Sequence, residues 1–261
     1  MMNIAQRQHD PTPQTPGLPG TGGKTYVLVH GSWAGGWIWA PVADLLRAQG
    51  HRIFAPTQTG LGERRHLLSR DIGIGTFVDD VANVIEAEEL RDVILVGQSS
   101  GGLPITGVAD RIPERIHHLV YLDAAIAQGG QSFFDLFPQE VVADRRRAAR
   151  EGGGGIAVPL PPIGALASIG IPAGPAAEWV HRRFTPHPIG AFETPLELCN
   201  PVGNGRPCTY VSCTAPEYAA IEASRQWVRS QDGWDWVELA AGHCANVTVP
   251  EDVARLLTEI G

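Results

Sequence analysis

Asp92-Val93-Ile94-Leu95-Val96-Gly97-Gln98-Ser99-Ser100-Gly101-Gly102 is the stretch on which the reading of this chain turns. A short run of branched and apolar residues, the composition of a buried strand, drives directly into Gly97-Gln98-Ser99-Ser100-Gly101 and continues into helix-compatible sequence. Glycines two residues either side of a serine let the backbone reverse tightly and leave the serine Oγ exposed at the tip of the turn. The stretch therefore predicts a nucleophile elbow centred on Ser99. Because a chain with 31 glycines can produce Gly-x-Ser-x-Gly by chance, the surrounding sequence has to decide.

Upstream, Tyr26 to His30 is a short apolar run ending at Gly31, followed by Val42, Leu45 and Leu46 at helical spacing up to Gly50. His51 to Pro56 reads as a second strand, and Thr76 is placed to cap a helix from Phe77 to about Glu89. Downstream of the elbow, a helix from Ser100 towards Asp110 leads to a strand over Ile116 to Leu122. Near-continuous apolar strands alternating with helices predict an α/β fold, a mostly parallel sheet with helices on both faces.

The rhythm breaks between Ala124 and Pro195. Phe133 to Arg150 is helix-compatible, Gly152 to Pro175 is dense in Gly and Pro, and Ala176 to Phe184 is helix-compatible again. This segment, about 125–195, is expected to be a helical cap inserted over the sheet. Strands at Thr209 to Cys213 and Trp234 to Leu239 then resume the pattern, and Pro250 opens a last helix over Glu251 to Ile260. The expected organisation is one domain over 24–261, preceded by a disordered tail over 1–23 rich in Pro, Gly, Gln and Thr.

Composition narrows the function classes. The chain has 261 residues, 43% of them hydrophobic, enough for one well-cored α/β domain with an insertion. A formal net charge of -8 argues against nucleic-acid or anionic-membrane partners, and the Arg145-Arg146-Arg147 run with Arg150 reads as a solvated helix face. No stretch approaches the roughly 18 apolar residues of a membrane span, and no signal-peptide run is evident, so a cytoplasmic protein is expected. Cys199, Cys208, Cys213 and Cys244 show neither a disulfide framework nor a Cys-x-x-Cys pair, so reduced thiols and no metal site are expected, even with His243 beside Cys244.

A serine hydroxyl requires a general base, and in a chain with this order of elements that base should be a histidine late in the sequence. His243, in Ala241-Gly242-His243-Cys244, lies four residues past the strand ending at Leu239. An oxyanion hole requires two backbone N–H groups, one from the residue after the nucleophile and one from the loop after the first strand. Ser100 and Ser32 are the candidates, the latter in His30-Gly31-Ser32-Trp33-Ala34-Gly35-Gly36-Trp37, which lacks the spacing of a phosphate-binding loop. The orienting acid is Asp123, at the end of the strand after the elbow, or Glu217, beyond the penultimate strand. Asp123 is favoured, since Glu217 opens a helix where its charge suits the dipole.

Val29-His30-Gly31-Ser32-Trp33, Gly60-Leu61-Gly62-Glu63-Arg64, Gly97-Gln98-Ser99-Ser100-Gly101-Gly102 and Gly242-His243 together resemble the α/β-hydrolase superfamily over residues 25–260. Within it the chain is similar to small bacterial esterases related to plant methylesterases and hydroxynitrile lyases and to carbamate-cleaving carbendazim hydrolase, a group that Tyr121-Leu122-Asp123-Ala124 and Thr185-Pro186-His187-Pro188 also fit. Such relatives more often flank the serine with histidine and an aromatic residue, where this chain has Gln98 and Ser100. Hydroxynitrile lyases of the group carry lysine after the catalytic histidine and threonine after the first-strand histidine; Cys244 and Gly31 stand here, which argues against cyanohydrin cleavage. The resemblance also implies an acid after the strand that follows the elbow, as in some related dehalogenases.

The expected activity is hydrolysis of a small, largely apolar ester, lactone or carbamate through an acyl-enzyme, without a cofactor. Trp33, Phe133, Phe137 and Trp179 are the expected substrate contacts, with Trp37, Trp39, Phe134 and Phe184 as further aromatics of the same region. A cyclase, lyase or acyltransferase using the same site, or a non-catalytic binder on the same fold, are the alternative readings. The only partner implied is a small-molecule substrate, with homodimerisation left open.

Overall fold

The computed structural model describes residues 22–260, so all but Gly22 and Gly23 of the expected 1–23 tail lie outside the described residues. A six-stranded sheet forms the centre, with every neighbouring pair parallel: β1 (Thr25–Val29), β2 (Arg52–Phe54), β3 (Val93–Gln98), β4 (Ile116–Leu122), β7 (Cys208–Cys213) and β8 (Trp234–Leu239), in the spatial order β2-β1-β3-β4-β7-β8. β3 and β7 are buried along their whole length, whereas the edge strands β2 and β8 are partly exposed. That gradient is what the continuous apolar runs in the middle and the alternating Trp234-Asp235-Trp236-Val237-Glu238 at the edge encode.

Alternate residues of each strand feed two separate cores. Val27, Val29, Leu95, Leu119 and Tyr121 face one side, where α2 (Ile74–Ala87), α3 (Gly102–Arg111) and α7 (Glu222–Arg229) contribute side chains. Tyr26, Leu28, Ile94, Val96 and Val120 face the other, covered by α1 (Ala40–Ala48), α8 (Ala245–Thr248) and α9 (Pro250–Glu259). Period-two alternation of apolar residues on both faces is the signature of a sheet sandwiched between helices.

The segment between β4 and β7 holds α4 (Gln139–Gly152), α5 (Pro175–His181), α6 (Gly190–Glu193) and two 3-10 turns, and it also contains a small antiparallel ribbon of β5 (Ala157–Val158) with β6 (His187–Pro188). The single helix expected over Phe133 to Arg150 is broken. Phe133–Leu136 forms a 3-10 turn, Phe137 and Pro138 are extended, and α4 starts only at Gln139, because a residue before proline is pushed out of helical space. Likewise α2 begins at Ile74, not at Phe77. Thr194 Oγ1, from the far end of the cap, accepts the Ile74 N–H at 2.7 Å, and Thr76 therefore sits inside the first turn. A distant residue has done what a local cap would do.

Candidate active site

All six strands of the central sheet run in the same direction, so the loops after β1, β3, β4, β7 and β8 gather at one edge of that sheet, the place where ligands bind in open α/β folds. Ser99 directly follows β3 as the first residue of a short 3-10 turn, Ser99–Gly101, that leads into α3, with φ of 57°. This left-handed conformation is costly for a side chain with a Cβ, on the order of 1–3 kcal/mol, and here the surroundings enforce it. A Cβ on Gly97 would lie 2.5 Å from the Gly101 carbonyl oxygen, and one on Gly101 would lie 2.7 Å from that of Val29. Only glycine at both positions allows the elbow to close against β1. Asp123 has φ of 43° directly after β4, and the Ala125 N–H donates to the Ser99 carbonyl at 2.8 Å, tying the two strained turns together.

The structure brings Ser99, His243 and Asp123 into a continuous relay. His243 Nε2 lies 2.9 Å from Ser99 Oγ, and His243 Nδ1 lies 2.8 Å from Asp123 Oδ2. Since a carboxylate can only accept, Nδ1–H is the donor of that contact, and in the neutral ring this leaves Nε2 as the acceptor facing the Ser99 hydroxyl. Glu217, the alternative acid, is exposed in the loop after β7 and forms no side-chain hydrogen bond among the described residues, while the one nitrogen it would need is already engaged by Asp123.

Asp123 is fully buried and its second oxygen is also occupied. Oδ1 accepts the Cys213 N–H at 3.1 Å and a guanidinium N–H of Arg225 at 2.9 Å, and the Arg225 side chain is only 1% exposed. Arg225 also donates to the Tyr218 and Cys213 carbonyls. Neither Arg225 nor Tyr218, whose ring centroid is 4.3 Å from that of His243, stands out in the sequence. The available clue is indirect: an acid buried at the end of β4 leaves an oxygen facing β7, and the chain beyond β7 has to satisfy it. Burial pushes the neighbouring Cys244 thiol up to about 12 and raises Cys213 as well, so both remain protonated thiols beside the relay.

The loop after β1 is held from several sides. His30 is buried; its Nδ1–H donates to the Gly31 carbonyl at 2.8 Å while Nε2 accepts the Gln58 N–H at 3.1 Å. Both bonds require the neutral ring, and burial holds its pKa down to about 4. Thr57 Oγ1 accepts from Gly36 N–H, and Asp80 anchors the Gly60-Leu61-Gly62-Glu63-Arg64 segment by accepting from Thr59 and Arg64. Ser32 and Ser100 meet through their hydroxyls at 2.9 Å, so the first loop is fastened to the elbow. Gln98 donates from Nε2 to the His243 carbonyl at 3.0 Å, fastening the elbow in turn to the histidine loop.

The cap grips both loops. Trp33, with φ of 62°, accepts from Thr185 N–H and donates its own N–H to His187 Nδ1, which gives the Thr185-Pro186-His187-Pro188 motif a structural role. His187 stacks on Phe192 at 4.1 Å and its pKa is driven far down by burial. On the other side the Cys244 N–H donates to the Ile169 carbonyl, and Gly170 and Gly242 meet backbone to backbone: a Cβ on either would fall within 2.6 Å of the other's Cα.

Between cap and sheet lies a cavity of about 400 Å³ that reaches Ser99 and His243. Trp33, Phe133 and Phe137 line it, as does Phe184. Trp179 does not; it packs edge-on against Trp37 at 5.1 Å under Arg183, and Trp39 is fully buried in the core. The basic run is also not uniformly solvated. Arg145 turns inward and lines the cavity, while Arg146 and Arg147 remain exposed in ion pairs with Glu193 and Asp144.

The profile of the alpha/beta hydrolase family matches residues 26–256. The chain belongs to that family. This hydrolase-family protein is 35% identical over 244 residues to a carbendazim hydrolyzing esterase of Nocardioides sp. (strain SG-4G), an alignment covering 90% of this chain and 99% of the relative. It is 27% identical over 263 residues to esterase PIR7B of Oryza sativa subsp. japonica, covering 91% and 95% of the two chains. Among solved structures, an extracellular alpha/beta-hydrolase from a Paenibacillus species superimposes with a TM-score of 0.78 at 25% identity, over 91% of this chain and 99% of that one.

Proposed function

We propose that this alpha/beta hydrolase family member is a serine esterase cleaving a small, largely apolar carboxylic ester, lactone or carbamate. The observation that carries the reading is the unbroken Ser99–His243–Asp123 relay, with contacts of 2.9 and 2.8 Å, opening on an aromatic-lined cavity. His243 Nε2 takes the Ser99 proton as Oγ attacks the carbonyl carbon, and Asp123 stabilises the resulting imidazolium. The Ser32 and Ser100 amides receive the oxyanion, in two segments that the hydroxyl contact between those serines keeps together. His243 then delivers the proton to the leaving alcohol, giving an acyl-enzyme, and a water deprotonated by the same nitrogen releases the acid. A carbamate follows the same route with a carbamoyl-enzyme.

Trp33, Phe133 and Phe137 would hold the apolar body of the substrate. Carbamate cleavage is supported by the full-length similarity to an esterase named for hydrolysing carbendazim. The four free thiols, three of them buried, suit a reducing compartment such as the cytoplasm. Release of nitrophenol from 4-nitrophenyl acetate, and labelling by a fluorophosphonate, should both occur with the wild type and disappear in Ser99→Ala. Turnover or labelling that survives the substitution would refute the assignment.

A further inference from the structure

Arg145 occupies a position that neither the fold nor the relay explains. It projects from α4 into the cavity that contains Ser99, with its guanidinium 4.7 Å from the Phe137 ring centroid, 5.6 Å from Phe192 and 5.9 Å from both Trp33 and Phe133. Among the described residues it forms no hydrogen bond and no ion pair, and its Nη1 is buried without a partner. Among the described residues, no Asp or Glu lines the cavity. The one carboxylate that is buried among the described residues, Asp123, is already neutralised by Arg225 at 2.9 Å. With His243 in the neutral form the relay requires, the cavity wall carries one uncompensated positive charge.

Burial lowers the pKa of this guanidinium, yet an arginine remains charged at any physiological pH. Four aromatic faces offset part of the desolvation cost through cation–π attraction, but they offer no acceptor to the N–H groups. A desolvated donor without a protein partner is costly and is satisfied by a bound acceptor. An anionic acceptor satisfies both deficits, since the fork of guanidinium N–H groups matches a carboxylate bidentately.

We infer that Arg145 is a specificity residue that recognises a carboxylate on the substrate, distal to the bond being cleaved, so that the preferred substrate is a half-ester: an apolar linker with a scissile ester at one end and a free carboxylate at the other. The inference rests on the serine esterase reading, and the carboxylate takes no part in the chemical step. Trp33, Phe133 and Phe137 enclose the linker, and the guanidinium closes the far end.

Mono-4-nitrophenyl esters of succinic, glutaric and adipic acid should each be compared with the 4-nitrophenyl ester in which an isopropyl group replaces the carboxylate. For at least one chain length, wild-type kcat/KM should favour the acid by about 10-fold or more. Arg145→Met should bring that ratio down to one or below, chiefly through KM, and Arg145→Lys should keep part of it. A wild-type ratio at or below one for all three lengths, or a ratio that Arg145→Met leaves in place, would overturn the inference; the latter is the result if the cation only cements the cap. Binding of monomethyl glutarate against dimethyl glutarate to Ser99→Ala, measured by calorimetry, tests the same charge preference without turnover. Absence of nitrophenol release from every ester, with anion binding intact, would count against the esterase reading and leave the carboxylate site standing.

Discussion

Replacing Arg225 by methionine removes the charge that faces Asp123 while keeping most of the volume. The carboxylate is fully buried, and its Oδ1 would then retain only the Cys213 N–H, at 3.1 Å. Removing one partner of a buried ion pair costs about 3–5 kcal/mol, because the remaining charge stays desolvated and uncompensated. For a domain of this size about 1 kcal/mol corresponds to ~2–4 °C in the melting midpoint, so Arg225→Met should melt on the order of 10 °C lower. The cause can be isolated by a double-mutant cycle with Asp123→Asn, followed by urea unfolding. If the loss comes from the orphaned carboxylate, Arg225→Met should cost much less once Asp123 is neutral, giving a coupling of about 2 kcal/mol or more. A coupling below about 0.5 kcal/mol would refute the reasoning and make Arg225 a packing residue. Activity adds a second readout: an acid that has lost its anchor positions His243 less well, and kcat should fall more than KM rises.

Gly31→Ala should damage catalysis more than stability. Its added Cβ would lie 2.7 Å from both Ser99 Cβ and Gln98 Oε1, so Ser99 has to move; under the proposed mechanism such a displacement costs on the order of 10²-fold in kcat/KM, checked with 4-nitrophenyl acetate alongside a melting curve. Acid should destabilise the fold well before carboxylates titrate. His30 stays neutral in the folded chain down to about 4 and His187 is also pushed far down, whereas both take up a proton near 6.5 once unfolded. The unfolded state therefore binds more protons in this window, so stability is complete above about pH 6.5 and declines as pH falls towards 4, by up to ~1.4 kcal/mol per pH unit per histidine. Urea midpoints between pH 7 and 5 should fall accordingly, and His187→Phe should shallow the slope; equal slopes in both proteins would contradict this account.

Much of the fold was legible because it is written in local patterns. Ile116–Leu122 and Trp234–Leu239 are strands with the bounds their residues predict, since apolar runs between turn formers have few other ways to bury themselves. The elbow was legible for the same reason: glycine spacing is a backbone requirement and shows directly in the sequence. What could not be read depends on residues brought together from far apart. Thr194 caps α2 across the cap, Arg225 reaches Asp123 from a helix without any motif, and Arg145 looks like a member of a solvated run until the cap folds it over aromatic rings. Trp179 misleads in the opposite sense, being an aromatic of the cap that packs edge-on against Trp37 beneath Arg183 and not into the cavity.

The grip of residues 169–187 on the site has a consequence for how such proteins diversify. Thr185 and His187 fix the backbone of Trp33, while Ile169 and Gly170 meet the backbone around His243. A cap with these contacts is not an interchangeable module resting on a finished catalytic base. Transplanting it from a relative would exchange the cavity walls and, in the same step, re-set the loops that carry Trp33 and His243. Accumulated point changes in the lining are thus the easier route to new substrates, and wholesale cap exchange between relatives should succeed only where the Thr185-Pro186-His187-Pro188 and Gly170–Gly242 contacts travel with it.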